Sequence, residues 1–220
     1  LNKLFYSGEI GPLGNGQGYN NPEVEWFFGP SAVANHWEYQ PGTAPAFRVL
    51  WDQVNDQRFL AYALKTASDD NSVYLKKPMS SSELGQSIRS AEAFLNRMEA
   101  YALSGEEGLA LAELNAFRKT RVIGYTDVNL SGQALLDAIR LERRKELCFE
   151  GHRWFDLRRQ GMPEIKHTYK AEKGGAVYEY VLQQGDPMYT LPFPNSVVLQ
   201  NRALVQNPSR EMGARQGEIQ

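Results

Sequence analysis

The sequence predicts a mainly α-helical chain with long irregular segments and little β-structure, and three observations carry that expectation. Apolar residues recur at spacings of four and three from Leu84 to Ala102, a second apolar stripe begins after Ser131, and residues 1–50 are punctuated by Gly and Pro too densely for a long helix. The 220 residues can bury a core, and 42% hydrophobic against 23% charged residues exclude a disordered or fibrous chain.

Residues 1–80 read as a loop-rich segment. Gly8, Gly11, Gly14, Gly16 and Gly18 are followed by Pro22, Pro30, Pro41 and Pro45. Set among them are Tyr19, Trp26, Phe27, Phe28, Trp37 and Tyr39, interleaved with Asn20, Asn21, Asn35 and His36. Residues 56–65 suggest a short helix or strand, and Ser68-Asp69-Asp70-Asn71-Ser72 a turn.

The clearest element follows. Leu84, Ile88, Ala91, Leu95, Met98 and Ala102 lay one stripe along a helix of about 20 residues, with Ser81 or Ser82 able to cap its start. Ser104-Gly105 breaks it, and residues 106–120 read as a second helix with Leu109, Ala112, Leu114 and Phe117 apolar. This antiparallel pair resembles one tetratricopeptide unit. A single pair cannot bury both its faces, so it either docks on the rest of the chain or has sister repeats upstream.

A third helix is expected over residues 131–159, capped by Ser131 and carrying Leu135, Leu136, Ile139, Leu147, Phe149, Trp154, Phe155 and Leu157. Its charges Arg143, Glu146, Glu150 and Arg153 fall within or beside the apolar stripe rather than opposite it. Spacings of three let Arg143 meet Glu146 and Glu150 meet Arg153, so partly buried pairs are expected. Gly151 stands inside this helix, at about 1 kcal/mol relative to Ala unless a backbone or ring packs closely there. Beyond it, Tyr189-Thr-Leu-Pro-Phe-Pro194 is extended backbone that its alternating prolines bar from a central strand, and residues 211–220 form a polar tail.

A net charge of −2 with no Lys/Arg-rich run lacks the footprint of phosphate-backbone binding, which excludes nucleic acid as the expected partner. No apolar run approaches the roughly 20 residues that span a bilayer. The single Cys148 forms no intrachain disulfide and reads as a core thiol, and His36, His152 and His167 have no metal-ligand spacing. Asp69-Asp70-Asn71 lacks the Gly and terminal Glu of a calcium loop. Glu146 and Glu150 could be the carboxylate pair of a glycosidase, but on one helix turn and flanked by Arg143, Arg144 and Arg153 they would stay ionised and leave no proton donor. Structural ion pairing is the better reading.

The run Leu141-Glu-Arg-Arg-Lys-Glu-Leu-Cys-Phe-Glu-Gly-His-Arg-Trp-Phe-Asp-Leu-Arg-Arg159 resembles the signature helix of the SusD/RagB family, nutrient-binding surface lipoproteins of Bacteroidetes. Tyr189-Thr-Leu-Pro-Phe-Pro194 with Gln206-Asn-Pro208 is similar to that family's C-terminal strand and closing Gln-Asn-Pro, residues 89–100 to its last tetratricopeptide helix, and Asp56-Gln-Arg58 to its Asp-x-Arg step. The likeness covers about residues 50–210, in order, and marks residues 81–210 as a helical region like the family's C-terminal half. Asn195-Ser196 and Ser209-Arg210 depart from the family pattern.

The resemblance implies a non-enzymatic, cofactor-free protein at the outer-membrane surface that binds oligosaccharide or polysaccharide for uptake. It implies a SusC-like TonB-dependent transporter as partner, and membrane attachment only through an N-terminal lipid anchor absent from this chain. A helical-repeat scaffold binding protein or peptide is the rival from another class. For a glycan cradle, sugar rings need flat aromatic platforms and a few fixed polar groups. Tyr19, Trp26, Trp37 and Tyr39 are the candidate platforms, and Asn20, Asn35 and His36 the candidate hydrogen-bonding residues. Trp37 comes first, because Asn35 and His36 precede it and Tyr39 follows.

Overall fold

A computed structural model describes residues 24–28, 45–65, 73–75, 86–148, 150–170, 175–201, 203–211 and 216–219. Over these the chain runs β1 (Val24–Phe28), α1 (Pro45–Arg48), α2 (Gln57–Tyr62), β2 (Ala63–Lys65), β3 (Val73–Leu75), β4 (Gln86–Arg89), α3 (Ser90–Leu103), α4 (Glu107–Lys119) and α5 (Gly132–Glu146). There follow α6 (His152–Arg159), β5 (Ile165–Lys170), β6 (Val177–Leu182), α7 (Asn195–Gln200) and β7 (Glu218–Ile219). The chain divides into a first unit through Gly151 and a second from His152.

The first unit is built on three helices. Ala91, Leu95 and Met98 of α3, Ala110, Leu114 and Phe117 of α4, and Leu135 and Ile139 of α5 bury one another in a single core with Leu147. The helix pair therefore does find a partner for one of its faces within the chain, and that partner is α5. Along α4 the buried stripe is Ala110, Leu114 and Phe117, at spacings of four and three, which leaves Leu109 and Ala112 outside it.

One expected helix start, one expected cap and one expected continuation are corrected. The stripe from Leu84 to Ala102 is not one helix: β4 occupies Gln86–Arg89, and Ile88 lies 55% exposed in that strand opposite Trp26 of β1. The helix begins only at Ser90, and Ser81, Ser82 and Leu84 lie outside the described residues. Ser131 stands at the N-cap of α5 with extended backbone but makes no side-chain cap; instead a Glu107 carboxylate oxygen accepts the Gly132 N–H at 3.1 Å. A carboxylate there complements the positive end of the helix dipole.

The helix expected over residues 131–159 is two helices. Its ladder stops at Glu146, and Gly151 adopts φ +83°, a left-handed conformation that ends helices and that glycine adopts without strain. Among the described residues, its chain neighbours aside, no atom lies within 4 Å of where a Cβ at Gly151 would sit, so it is the backbone turn that calls for glycine there. The segment at residues 56–65 is both helix and strand, α2 running into β2, which pairs with β3. The turn at residues 68–72 lies outside the described residues.

In the second unit, Tyr189 is buried, stacks on Trp154 of α6 with centroids 4.9 Å apart, and donates its hydroxyl to the Pro163 carbonyl. The stretch from Leu191 to Pro194 is extended without being a strand. Pro192 and Pro194 have no N–H to offer a ladder, so the backbone of Phe193 is served by a side chain. Gln206 Oε1 accepts the Phe193 N–H at 2.8 Å while Gln206 Nε2 donates to the Phe193 carbonyl at 3.0 Å, and Asn207 Nδ2 donates to the Leu191 carbonyl at 2.8 Å. The Gln-Asn-Pro sequence thus does the work of a neighbouring strand.

Candidate functional site

The most concentrated polar chemistry among the described residues is a buried charge cluster in the first unit. It starts at the Asp56-Gln-Arg58 step. Asp56 Oδ1 accepts the Arg58 N–H at 3.0 Å, capping α2, and the same carboxylate takes Arg58 Nε at 3.0 Å and Nη2 at 2.7 Å. One aspartate therefore starts the helix and clamps the arginine two residues on. The Gln57 N–H donates to the Arg121 carbonyl at 2.9 Å, which brings the segment after α4 alongside.

From that clamp Arg58 reaches α5. Its Nη2 lies 2.6 Å from Glu142 Oε1 and its Nη1 3.1 Å from Glu146 Oε2. Glu142 Oε2 accepts from Arg118 Nε at 2.8 Å. Glu146 receives Arg121 on both oxygens, Nε at 3.0 Å and Nη2 at 3.2 Å, and Arg89 Nη1 on Oε1 at 3.1 Å. With Arg58 that makes four guanidinium N–H groups on one carboxylate, which fills its roughly four acceptor positions.

Arg89 spans the break after α5. Its Nη2 donates to the Glu146 carbonyl at 3.2 Å, an acceptor left orphaned where the helix ends. Its Nε and Nη2 hold Glu150 in a fork at 2.9 and 2.7 Å. The expectation of buried, paired charges therefore holds for Arg143, Glu146 and Glu150, whose side chains are nearly sealed from solvent. Partners come from other elements of the unit: Arg143 turns to Asn96 and Glu92 of α3. Arg153 is exposed.

Arg58, Arg89, Arg118 and Arg121 face Asp56, Glu142, Glu146 and Glu150. Aromatic rings wall the cluster: the Arg58 guanidinium lies 5.4 Å from the Trp51 ring centre, Arg121 5.0 Å from Phe117 and Arg118 6.0 Å from Tyr125. Burial by itself would raise the Glu142 carboxyl, but the charges of Arg58, Arg118 and Lys145 outweigh it and hold the group down to about 2. Burial likewise pushes Lys145 down, against the pull of Glu142.

A carboxylate held at about 2 keeps no proton to donate near neutral pH. The oxygens of Glu146 and Glu150 are occupied by arginine N–H groups, so this pair fits an ion-pair scaffold rather than glycosidase chemistry. The cluster fixes α2, β4, the end of α4 and the end of α5 to one another. Because the folded Glu142 is depressed below its ordinary 4.5, its contribution to stability is complete above that value and is lost as pH falls from 4.5 towards 2. Acid titration followed by far-UV circular dichroism should accordingly show unfolding inside that window.

Of the seven residues expected to cradle a ligand, Trp26 lies in β1, a strand and not a loop, with its backbone opposite Ile88. Tyr19, Asn20, Asn35, His36, Trp37 and Tyr39 lie outside the described residues, as do Asp69, Asp70 and Asn71. Among the described residues no group of three or more His, Cys, Asp or Glu is placed to hold a metal ion, and no helix is long and apolar enough to cross a membrane. Sequence reasoning missed Arg58, Arg89, Arg118, Arg121 and Glu142 as members of the cluster. The available signal was the Asp-x-Arg step, whose aspartate sits where a helix cap belongs.

Comparison with known proteins gives a consistent answer. The SusD family model matches residues 52–209, which takes in the charge cluster, the helix pair and the Gln-Asn-Pro turn. Among solved structures, the chain is similar to a SusD superfamily protein from Bacteroides fragilis, with 27% identity and a TM-score of 0.52 over 72% of this chain and 35% of that one. It is also similar to a SusD-like carbohydrate binding protein from Bacteroides vulgatus, with 20% identity and a TM-score of 0.58 over 90% of this chain and 50% of that one. The chain thus spans a third to a half of the length of these relatives. No curated protein matches it. A match across the greater part of the chain places this protein in the SusD family.

Proposed function

We propose that the protein is a non-enzymatic glycan-binding component of an outer-membrane uptake system, lipid-anchored at the cell surface in its full-length form. In this reading it takes up oligosaccharide or polysaccharide and passes it to a SusC-like TonB-dependent transporter. The observation that carries the proposal is the family match over residues 52–209. The likeness to a carbohydrate binding protein of the same fold supports it. The proposed cradle is the aromatic and amide cluster at residues 19–39, with Trp37 as anchor and Tyr19, Trp26 and Tyr39 as further platforms. Asn20, Asn35 and His36 supply hydrogen bonds.

Two experiments test this. Trp37→Ala should weaken binding of the cognate glycan by about 1–3 kcal/mol, as loss of a hot-spot aromatic does, with the melting temperature unchanged. Retained affinity with a sharply lowered melting temperature would instead put Trp37 in a core. Purification of the full-length protein from detergent-solubilised outer membranes should bring down one large β-barrel protein. Repeated recovery of the protein alone would count against the transporter.

A further inference from the structure

The sheet of the second unit separates rings from charges. Alternation along β5 puts Ile165, His167 and Tyr169 on one face, and the register sets Leu182, Tyr180 and Tyr178 opposite them, with Ile219 of β7 beside Tyr178. Lys166, Thr168, Glu179, Val181 and Glu218 belong to the other face. The ring face is open: Tyr169 is 57% exposed, Tyr180 36% and Ile219 70%, and His167 is exposed as well.

Gly217 shows that the face is shaped. A Cβ there would come within 2.8 Å of the Tyr178 Cβ and of the Tyr180 ring at Cε2 and Cζ. The segment entering β7 thus has no side chain where the Tyr180 ring lies, and the ring lies close to its backbone, as aromatic residues do over sheet glycines. A ring held in this way loses little freedom when a ligand stacks on it.

We propose that this face, centred on Tyr169, Tyr178 and Tyr180, is a glycan platform separate from the cradle at residues 19–39, stacking the C–H faces of uncharged sugar rings. The phenol hydroxyls and His167 supply hydrogen bonds. The proposal rests on the glycan-binding reading above. Two observations favour a neutral sugar over another occupant. Among its described residues the face carries no carboxylate, ammonium or guanidinium group, which matches an uncharged ligand. Its rings sit on two neighbouring strands, one spacing of ~5 Å apart, along one two-residue step of ~7 Å. That is far below the roughly 800 Å² per partner of a stable protein interface.

The test uses full-length protein labelled with fluorotyrosine, titrated with oligosaccharides from starch, xylan, mannan, cellulose and galactan and followed by fluorine NMR and calorimetry. At least one should bind and move the signals of Tyr169, Tyr178 and Tyr180, assigned by Tyr→Phe substitution. Tyr169→Ala should then weaken that binding about tenfold, while Thr168→Ala on the other face leaves it unchanged and both variants keep the wild-type melting temperature. Binding that leaves the three signals in place and survives Tyr169→Ala would overturn the platform and leave glycan binding intact. Absence of binding to all five would overturn both. A concentration-dependent dimer dissolved by Tyr169→Ala would overturn the platform too, giving the face to a second copy.

Discussion

Replacing Glu146 with alanine should destabilise the protein by about 3–5 kcal/mol, the cost of breaking a buried ion pair by removing one partner. The reason lies in what is left behind. Arg58, Arg89 and Arg121 all donate to Glu146 and are themselves buried, so its loss strands positive charge in a site walled by Trp51 and Phe117. Against the roughly 5–15 kcal/mol that holds a typical domain, that is a large share. Chemical denaturation should register it as a fall in midpoint. Asp127→Ala is the control: its pair with Lys119 is half exposed on both sides and should matter by less than about 1 kcal/mol. Equal effects of the two substitutions would show that burial of the cluster does not govern its energetics.

Arg58→Ala carries the second large effect, again about 3–5 kcal/mol, because three carboxylates lose a shared cation. It has a signature that simple loss of packing lacks. Arg58 is the leading charge that holds Glu142 down, so without it the Glu142 carboxyl rises and acid unfolding moves to higher pH. Arg58→Met, which keeps most of the apolar stem, should show the same acid shift. Combining it with Glu142→Gln should cost less than the sum of the two single changes by more than about 1 kcal/mol, since contacting partners do not add. Strict additivity would mean that the two side chains do not sense each other.

How much of this was legible in the sequence depends on the range of the interactions. The α3–α4 pair and its core stripe follow from local periodicity, because Ala91, Leu95 and Met98 are buried by the same spacing that makes the helix amphipathic. The presence of buried charge was also visible, since Arg143, Glu146 and Glu150 interrupt an apolar stripe. Who pairs with whom was not: Glu146 meets Arg58, which is 88 residues away in sequence, and no local pattern encodes that distance. The break before α6 was hidden for a related reason. The apolar period continues across Gly151, but α5 stops at Glu146, whose carbonyl takes a guanidinium from β4, and the left-handed Gly151 stands just before α6. Ile88 misled in the same way, since its spacing fits the helix but its backbone is paired with β1. The β5–β6 hairpin carries a tyrosine-rich face that no element signal in the sequence had marked. The candidate cradle was read from residue chemistry alone, and of its members Trp26 has a described backbone.

The most direct measurement of the functional reading is a glycan array probed with the purified full-length protein, with hits confirmed by the change in intrinsic tryptophan fluorescence on adding free oligosaccharide. A glycan-binding member of the SusD family should select one chemical class of glycan, and the free oligosaccharide of that class should compete it from the array. Silence across the array, with saturable binding to peptides instead, would contradict the account and favour a helical-repeat scaffold.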